Sequence, residues 1–325
     1  MCSSDLVRIC GDYKITVNPQ LQSEEYPLPR IDDIFAKLAG GKKFTKIDLR
    51  QAYHQMEVEE ESQEYLTVNT HQGLYRYNRL VFGITSAPAI WQRSMDQILE
   101  GIEGTSCILD DMIITGKDDE EHLAHLEETL KRLKEHGLRA NRGKCEFFQT
   151  KITYCGHEVD QYGLHKTQEK VDAVVNAPRP ENVQQVRSFL GLVNYYHKFL
   201  PNLATTLNPL NRLLEQGKPW KWSAECEEAF FSVKKLIASD MVLTHYDPER
   251  PLKLACDASQ VGVGAVLSHV IEDGSERPIA FASRTLTKAE RNYSQIDKEA
   301  LALVWGVKKF HLYLFGRHFT LIMNQ

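Results

Sequence analysis

Apolar positions along this chain switch repeatedly between a spacing of two and a spacing of three to four, so strand and helix signals interleave. Residues 7–17 alternate as a strand broken at Gly11. Pro27 and Pro29 lead into a short helix over 31–38, which Gly40-Gly41 closes. Strand patterns follow at 44–49, 64–69 and 74–80. Pro88 opens a helix over 89–100 with Trp91, Met95, Ile98 and Leu99 on its apolar side. Two apolar runs then pinch a charged dipeptide in Cys107-Ile-Leu-Asp-Asp-Met-Ile-Ile114, which predicts a hairpin. The clearest helix comes next. Asp118 is its N-cap with Glu121 three residues on, and Leu123, Leu126, Leu130 and Leu133 form its stripe. Glu127 with Lys131 and Glu128 with Arg132 support it at i,i+4, and Gly137 stops it.

A second region begins near Asp160. Pro178 and Pro180 precede a long helix over 183–199, whose wide apolar face carries Val186, Phe189, Leu190, Val193 and Tyr196. Pro219-Trp-Lys-Trp222 marks a packed connection into a helix over 224–238. A third region starts near Tyr246 with paired strands at 252–258 and 264–270 and a third strand at 278–283. A long helix over 288–314 and a final strand at 318–323 complete an α/β beginning.

The 325 residues leave room for two or three domains, and 42% hydrophobic with 26% charged residues is ordinary for a globular protein. A net charge of −5 argues against a uniformly basic nucleic-acid binder, though not against a local basic groove. The seven cysteines form no CxxC pair, which disfavours zinc and suggests reduced thiols in an intracellular protein. The longest apolar run, over 300–307, is far too short to span a bilayer, so no membrane partner is expected.

The chemistry centres on Asp48, in the strand over 44–49, and on Asp110-Asp111 at the hairpin tip. Like charges set side by side between buried strands are costly unless a cation neutralises them. Three carboxylates so placed suit two Mg²⁺ ions and two-metal phosphoryl or nucleotidyl transfer. On spacing alone, Tyr53 reads equally as a core tyrosine or as a ring under a bound sugar. Arg8 reads as a surface arginine or as a bidentate partner of a triphosphate. Phe82-Gly83 opens a small-residue turn suited to close approach by a base pair or template. Arg139, Arg142, Lys144 and Lys151 form a basic stretch, either a solvated face or a phosphate track. Asp257 and Glu299 are a possible second metal set, with a capping Asp and an exposed Glu the reading the pattern alone favours.

Together the motifs resemble the Pol polyprotein of Gypsy-type LTR retrotransposons, reverse transcriptase followed by ribonuclease H. The resemblance rests on Lys46-Ile-Asp-Leu-Arg-Gln-Ala-Tyr-His-Gln55, Leu80-Val-Phe-Gly-Ile-Thr-Ser-Ala-Pro88, Val186-Arg-Ser-Phe-Leu-Gly-Leu-Val-Asn-Tyr-Tyr196 and Asn292-Tyr-Ser-Gln-Ile-Asp-Lys-Glu-Ala-Leu-Ala302. It implies an α+β right-hand polymerase: partial fingers and palm over 1–157, thumb and connection over 158–244, and an incomplete ribonuclease H-like α/β domain over 245–325. By this likeness Asp48, Asp110 and Asp111 are the polymerase metal ligands and Tyr53 the sugar gate. Arg8, Phe82 and Gly83 meet the incoming nucleotide, and Lys144 lies near the leaving pyrophosphate. Cys155 and Gly156 belong to the primer grip. Asp257 and Glu299 are ribonuclease H carboxylates, with Asn324 where the family has a third. Implied partners are an RNA or DNA template with a DNA primer, dNTPs, and other Pol or Gag products.

The chain departs from the family at Ile108, where a Tyr is usual, at Met1–Leu6, and at Asn324. It begins part-way through the fingers and stops after Gln325, as a truncated element copy would. The expectation is an RNA-directed DNA polymerase whose ribonuclease H activity is lost. The alternative is a catalytically dead remnant that binds nucleic acid or protein.

Overall fold

Alternation along β1 (Lys43–Asp48) sets two faces: Thr45 and Ile47 point toward packed helices, Lys46 and Asp48 the other way. The computed structural model describes residues 11–22, 25–217 and 219–323, and the chain divides into two units, Met1–Tyr154 and Cys155–Gln325. In the first unit β2 (Thr67–Thr70) and β3 (Gly73–Arg76) make a separate hairpin. β4 (Thr105–Ile108), β5 (Asp111–Gly116) and β6 (Glu146–Gln149) join β1 in an antiparallel sheet of order β4-β5-β1-β6, and β7 (Lys151–Tyr154) ends the unit. Helices Ala87–Leu99 and Asp119–Glu135 cover one face. Trp91, Met95, Leu99, Leu126 and Leu133 meet Ile47, Met112 and Ile114 there.

The second helix starts as its capping pattern requires. The Asp118 carboxylate accepts from Glu121 N–H at 2.9 Å, and the Glu121 carboxylate accepts from Lys117 N–H at 2.6 Å. Its buried face is not the expected leucine stripe. Leu126 and Leu133 are buried, but Leu123 and Leu130 are 44% and 41% exposed, and fully buried His122 and Thr129 complete the face. Both polar side chains have partners: His122 Nε2 lies 2.7 Å from Thr45 Oγ1, and Thr129 Oγ1 donates to the His125 carbonyl at 2.8 Å.

Burial, reinforced by His125, lowers the His122 pKa below its ordinary 6.5. Its contribution to stability is therefore full above pH 6.5, where both states are neutral, and is lost as pH falls through the lower folded-state value. His122→Gln should flatten the pH dependence of unfolding between about pH 5 and 7, by at most about one proton. Denaturant melts across that range check this; an unaltered slope in the variant would contradict it.

Three expected elements of the first unit differ. Residues 7–10 lie outside the described residues, 11–13 are irregular, and 14–17 form a turn rather than a strand. Asn18 N–H donates to the Tyr13 carbonyl at 3.0 Å, and the Asn18 side chain holds Gly83 O and Thr85 N–H. The strand pattern at 64–69 begins as a 3₁₀ turn over Glu64–Leu66, and the one at 74–80 is strand only to Arg76. Leu66 and Leu80 instead pack beside buried Tyr13.

In the second unit β8 (His157–Asp160) and β9 (Gly163–Lys166) form a hairpin. Helices Gln168–Val175, Val183–Tyr195 and Ala224–Ile237 follow, with Phe189 and Phe230 ring centroids 4.8 Å apart. The expected helix over 183–199 ends at Tyr195 and finishes as a 3₁₀ turn, His197–Phe199. β10 (Leu252–Ala258), β11 (Gly262–Val270), β12 (Glu276–Thr285) and β13 (Phe319–Met323) form a sheet of order β12-β11-β10-β13. β13 runs parallel to β10, reached through helix Gln295–Lys309. The helix expected over 288–314 is broken at Ser294, which caps Gln295–Lys309, and again before His311–Leu314. Gly306 permits close packing of that helix on the sheet, since a Cβ there would lie 2.6 Å from Cys256 Sγ. Among the described residues no helix is long and apolar enough to cross a membrane.

Candidate active site

The antiparallel register sets Asp48 directly opposite Asp111, and the hairpin turn places Asp110 beside them. The turn is gripped from the helix below it. Trp91 Nε1 donates to the Leu109 carbonyl at 2.7 Å. Buried Gln92 accepts from Leu109 N–H at 2.8 Å and donates to the Cys107 carbonyl at 3.0 Å. Leu109 is held at φ +54°, a left-handed conformation that costs a non-glycine residue about 1 kcal/mol or more. Leu49 N–H donates to the Asp110 carbonyl at 3.0 Å, and the Tyr154 hydroxyl donates to the Asp111 carbonyl at 3.0 Å.

Two ammonium groups answer the two facing carboxylates. Lys46 Nζ lies 3.5 Å from Asp111, and Lys144 Nζ lies 3.7 Å from Asp48. The first follows from strand period, since Lys46 and Asp48 share a face. The second follows from the segment before Lys144, where Asn141 N–H donates to the Asp48 carbonyl at 2.8 Å. Burial raises the Asp111 carboxyl above its ordinary range; Lys46 opposes this, while Asp110 and Asp48 add to it. Among the described residues no three His, Cys, Asp or Glu side chains already converge as a metal-holding group. The donor set nonetheless fits a hard cation. All three groups are carboxylate oxygens, and among the described residues the facing pair is charge-compensated by lysines.

Tyr53 is half-buried beside this site. Its ring lies 4.9 Å from Phe82 and 6.2 Å from Trp91, and burial with the nearby Asp110 charge raises its pKa. Gly83 sits at φ +95°, and a Cβ there would meet the Gly11 carbonyl at 2.9 Å. The close approach expected of this turn is thus met by the chain's own backbone. Arg8 lies outside the described residues.

In the second unit, Cys155 at φ +44° and Gly156 at φ +66° form a tight turn. Tyr195 and Tyr196 donate to their carbonyls at 2.7 Å and 2.9 Å. Asp257 lies within β10 rather than capping it, and Glu299 is half-buried rather than exposed. Gln295 links their elements, donating to the Ala258 carbonyl at 3.2 Å and to Glu299 at 3.1 Å. Asn324 lies outside the described residues.

The family described as reverse transcriptase (RNA-dependent DNA polymerase) matches residues 8–159, and the RNase H-like domain found in reverse transcriptase matches residues 222–321. The chain carries a reverse transcriptase domain followed by an RNase H-like domain. The Tf2-3 and Tf2-7 transposon polyproteins of Schizosaccharomyces pombe are each 36% identical to it over 310 residues. These matches cover 95% of this chain and 23% of each polyprotein. The resemblance to Gypsy-type retrotransposon polyproteins is therefore borne out. A foamy viral protease-reverse transcriptase solved with double-stranded DNA is similar to this chain at TM-score 0.89 and 24% identity, over 97% of this chain and 56% of that one. The foamy viral enzyme with an RNA/DNA hybrid matches at TM-score 0.83 and 24% identity, over 96% and 42%. These likenesses show a mixed α/β fold, as expected, and the family matches place a reverse transcriptase domain ahead of an RNase H-like domain.

Proposed function

We propose that this chain catalyses template-directed nucleotidyl transfer to a primer 3′-hydroxyl, as an RNA-directed DNA polymerase. The observation that carries the reading is Asp48 facing Asp111 in register, with Asp110 at the clamped turn beside them. These three carboxylates would hold two Mg²⁺ ions. Such ions would supply a lowered pKa for the attacking hydroxyl and charge neutralisation on the leaving pyrophosphate. Lys144 is assigned to the pyrophosphate side, where Nζ supplies charge and a proton. Tyr53 and Phe82 take the sugar and base of the incoming nucleotide, Gly83 shapes their turn, and Arg8 takes its triphosphate. Cys155 and Gly156 are assigned to the primer. That foamy viral relatives were solved with double-stranded DNA and with an RNA/DNA hybrid supports template and primer as partners.

Incorporation of labelled dNTP on an RNA template with a DNA primer tests the activity. Tyr53→Ala refines it. Removing the ring should raise ribonucleotide relative to deoxyribonucleotide incorporation by tenfold or more, roughly the discrimination a filled pocket supplies. The ratio of single-nucleotide incorporation rates is the readout, and an unchanged ratio returns Tyr53 to a packing role.

A further inference from the structure

The connection that enters the last sheet is tied to the β8–β9 hairpin, and groups that titrate stand at the tie. Leu164 N–H donates to the Leu243 carbonyl at 2.7 Å and Leu243 N–H to the Leu164 carbonyl at 3.0 Å, an isolated antiparallel bridge. The approach is close, since a Cβ on Gly163, at φ +152°, would lie 2.0 Å from the Leu243 carbonyl oxygen. One residue further, Thr244 N–H donates to the Pro278 carbonyl of β12 at 2.8 Å. Residues 243 and 244 thus fasten the hairpin to the four-stranded sheet.

Asp160, His165 and His245 cluster beside this bridge. His245 Nε2 lies 2.7 Å from the Asp160 carbonyl oxygen, which can only accept, so Nε2 carries the proton and Nδ1 is bare. Nδ1 is buried and meets no hydrogen-bond partner among the described residues. The Asp160 carboxylate is engaged elsewhere. It accepts from Tyr162 and Gly163 N–H at 2.8 Å and 3.1 Å, and lies 2.9 Å from His165 Nε2. Burial opposes ionisation of that carboxyl, but His165 and the two N–H donors hold it below its ordinary range. Burial lowers the His245 pKa below its ordinary 6.5; Asp160 opposes this and His165 adds to it. The other charges at the bridge are Lys166, whose Nζ donates to the Ser239 carbonyl at 2.8 Å, and Asp240, which acts on Lys166.

We infer that Asp160, His165 and His245 form an acid-sensitive latch, which holds the connection on the hairpin near neutral pH and releases it when His245 Nδ1 takes a proton. The new N–H finds no acceptor, and the half-buried imidazolium is repelled by His165. Because the folded form has the lower pKa, the latch is at full strength above about pH 6.5 and weakens as pH falls through the folded-state value. Release frees the sheet of β10 to β13 from the hairpin, a pH control on the RNase H-like domain. The latch lies wholly within the second unit and is independent of the polymerase reading.

Hydrogen exchange of the full chain, read by mass spectrometry and corrected for intrinsic rates, tests the latch between about pH 7.5 and 5. Protection in peptides covering residues 163–166 and 243–246 should fall about fivefold or more as pH is lowered, while peptides from β10 and β11 keep theirs. His245→Gln can still donate to the Asp160 carbonyl but does not titrate, so its protection should stay level across the range. His165→Gln removes the repelling charge and should shrink the fall. Protection unchanged with pH in the wild type, or the same fall in His245→Gln, overturns the latch. A fall shared by β10 and β11 is general unfolding and overturns it too.

Discussion

Asp110→Asn or Asp111→Asn should abolish nucleotide incorporation, with a loss of at least about a hundredfold. The change is isosteric, so the hairpin and its Trp91 and Gln92 bonds to backbone atoms should survive. What goes is charge. Burial and two neighbouring carboxylates raise the Asp111 carboxyl, Lys46 opposes them, and a bound cation would favour the ionised form further. An amide brings no charge to the cation or to the developing phosphate charge. A deficit of about 3 kcal/mol corresponds to a little over a hundredfold. Single-turnover rates for wild type and variants are the measurement, with far-ultraviolet circular dichroism to confirm folding. Undiminished turnover by Asp110→Asn would remove the hairpin from the chemistry.

Gln92→Leu should cost more than its size suggests. The side chain is fully buried and satisfies Leu109 N–H and the Cys107 carbonyl, so a similarly sized apolar group leaves both unmet. Each buried unsatisfied group costs about 1–3 kcal/mol, giving an expected destabilisation of roughly 2–6 kcal/mol. Because Leu109 is held at φ +54° by these bonds, relaxation of the turn should also re-aim Asp110 and reduce incorporation. Urea melts and incorporation rates report the two effects. A variant as stable and as active as wild type would show the clamp to be incidental.

The hairpin, its aspartates, the Asp118 cap and the helix over residues 89–100 were legible because each is written locally. An apolar run interrupted by Asp-Asp, a cap with Glu three residues on, and a proline before a helix need no distant partner. What the sequence hid depends on distant partners. His122 and Thr129 read as solvent-facing until Thr45 and Thr105 are seen across from them. Gln92 shares the buried helix face with Met95 and Leu99, but its role shows only once the turn it grips is in place. Lys46 was readable, two residues before Asp48 on the same strand face, yet its partner Asp111 comes from the neighbouring strand. The strand pattern over 11–17 was overridden by Asn18, whose side chain bonds residues 83 and 85.

The most direct test of the central claim is extension of a labelled DNA primer on an RNA template by the purified chain in Mg²⁺, beside Asp48→Asn. The account predicts template-dependent products from the wild type and none from the variant. No extension by a folded wild-type chain, or equal extension by both, would contradict it.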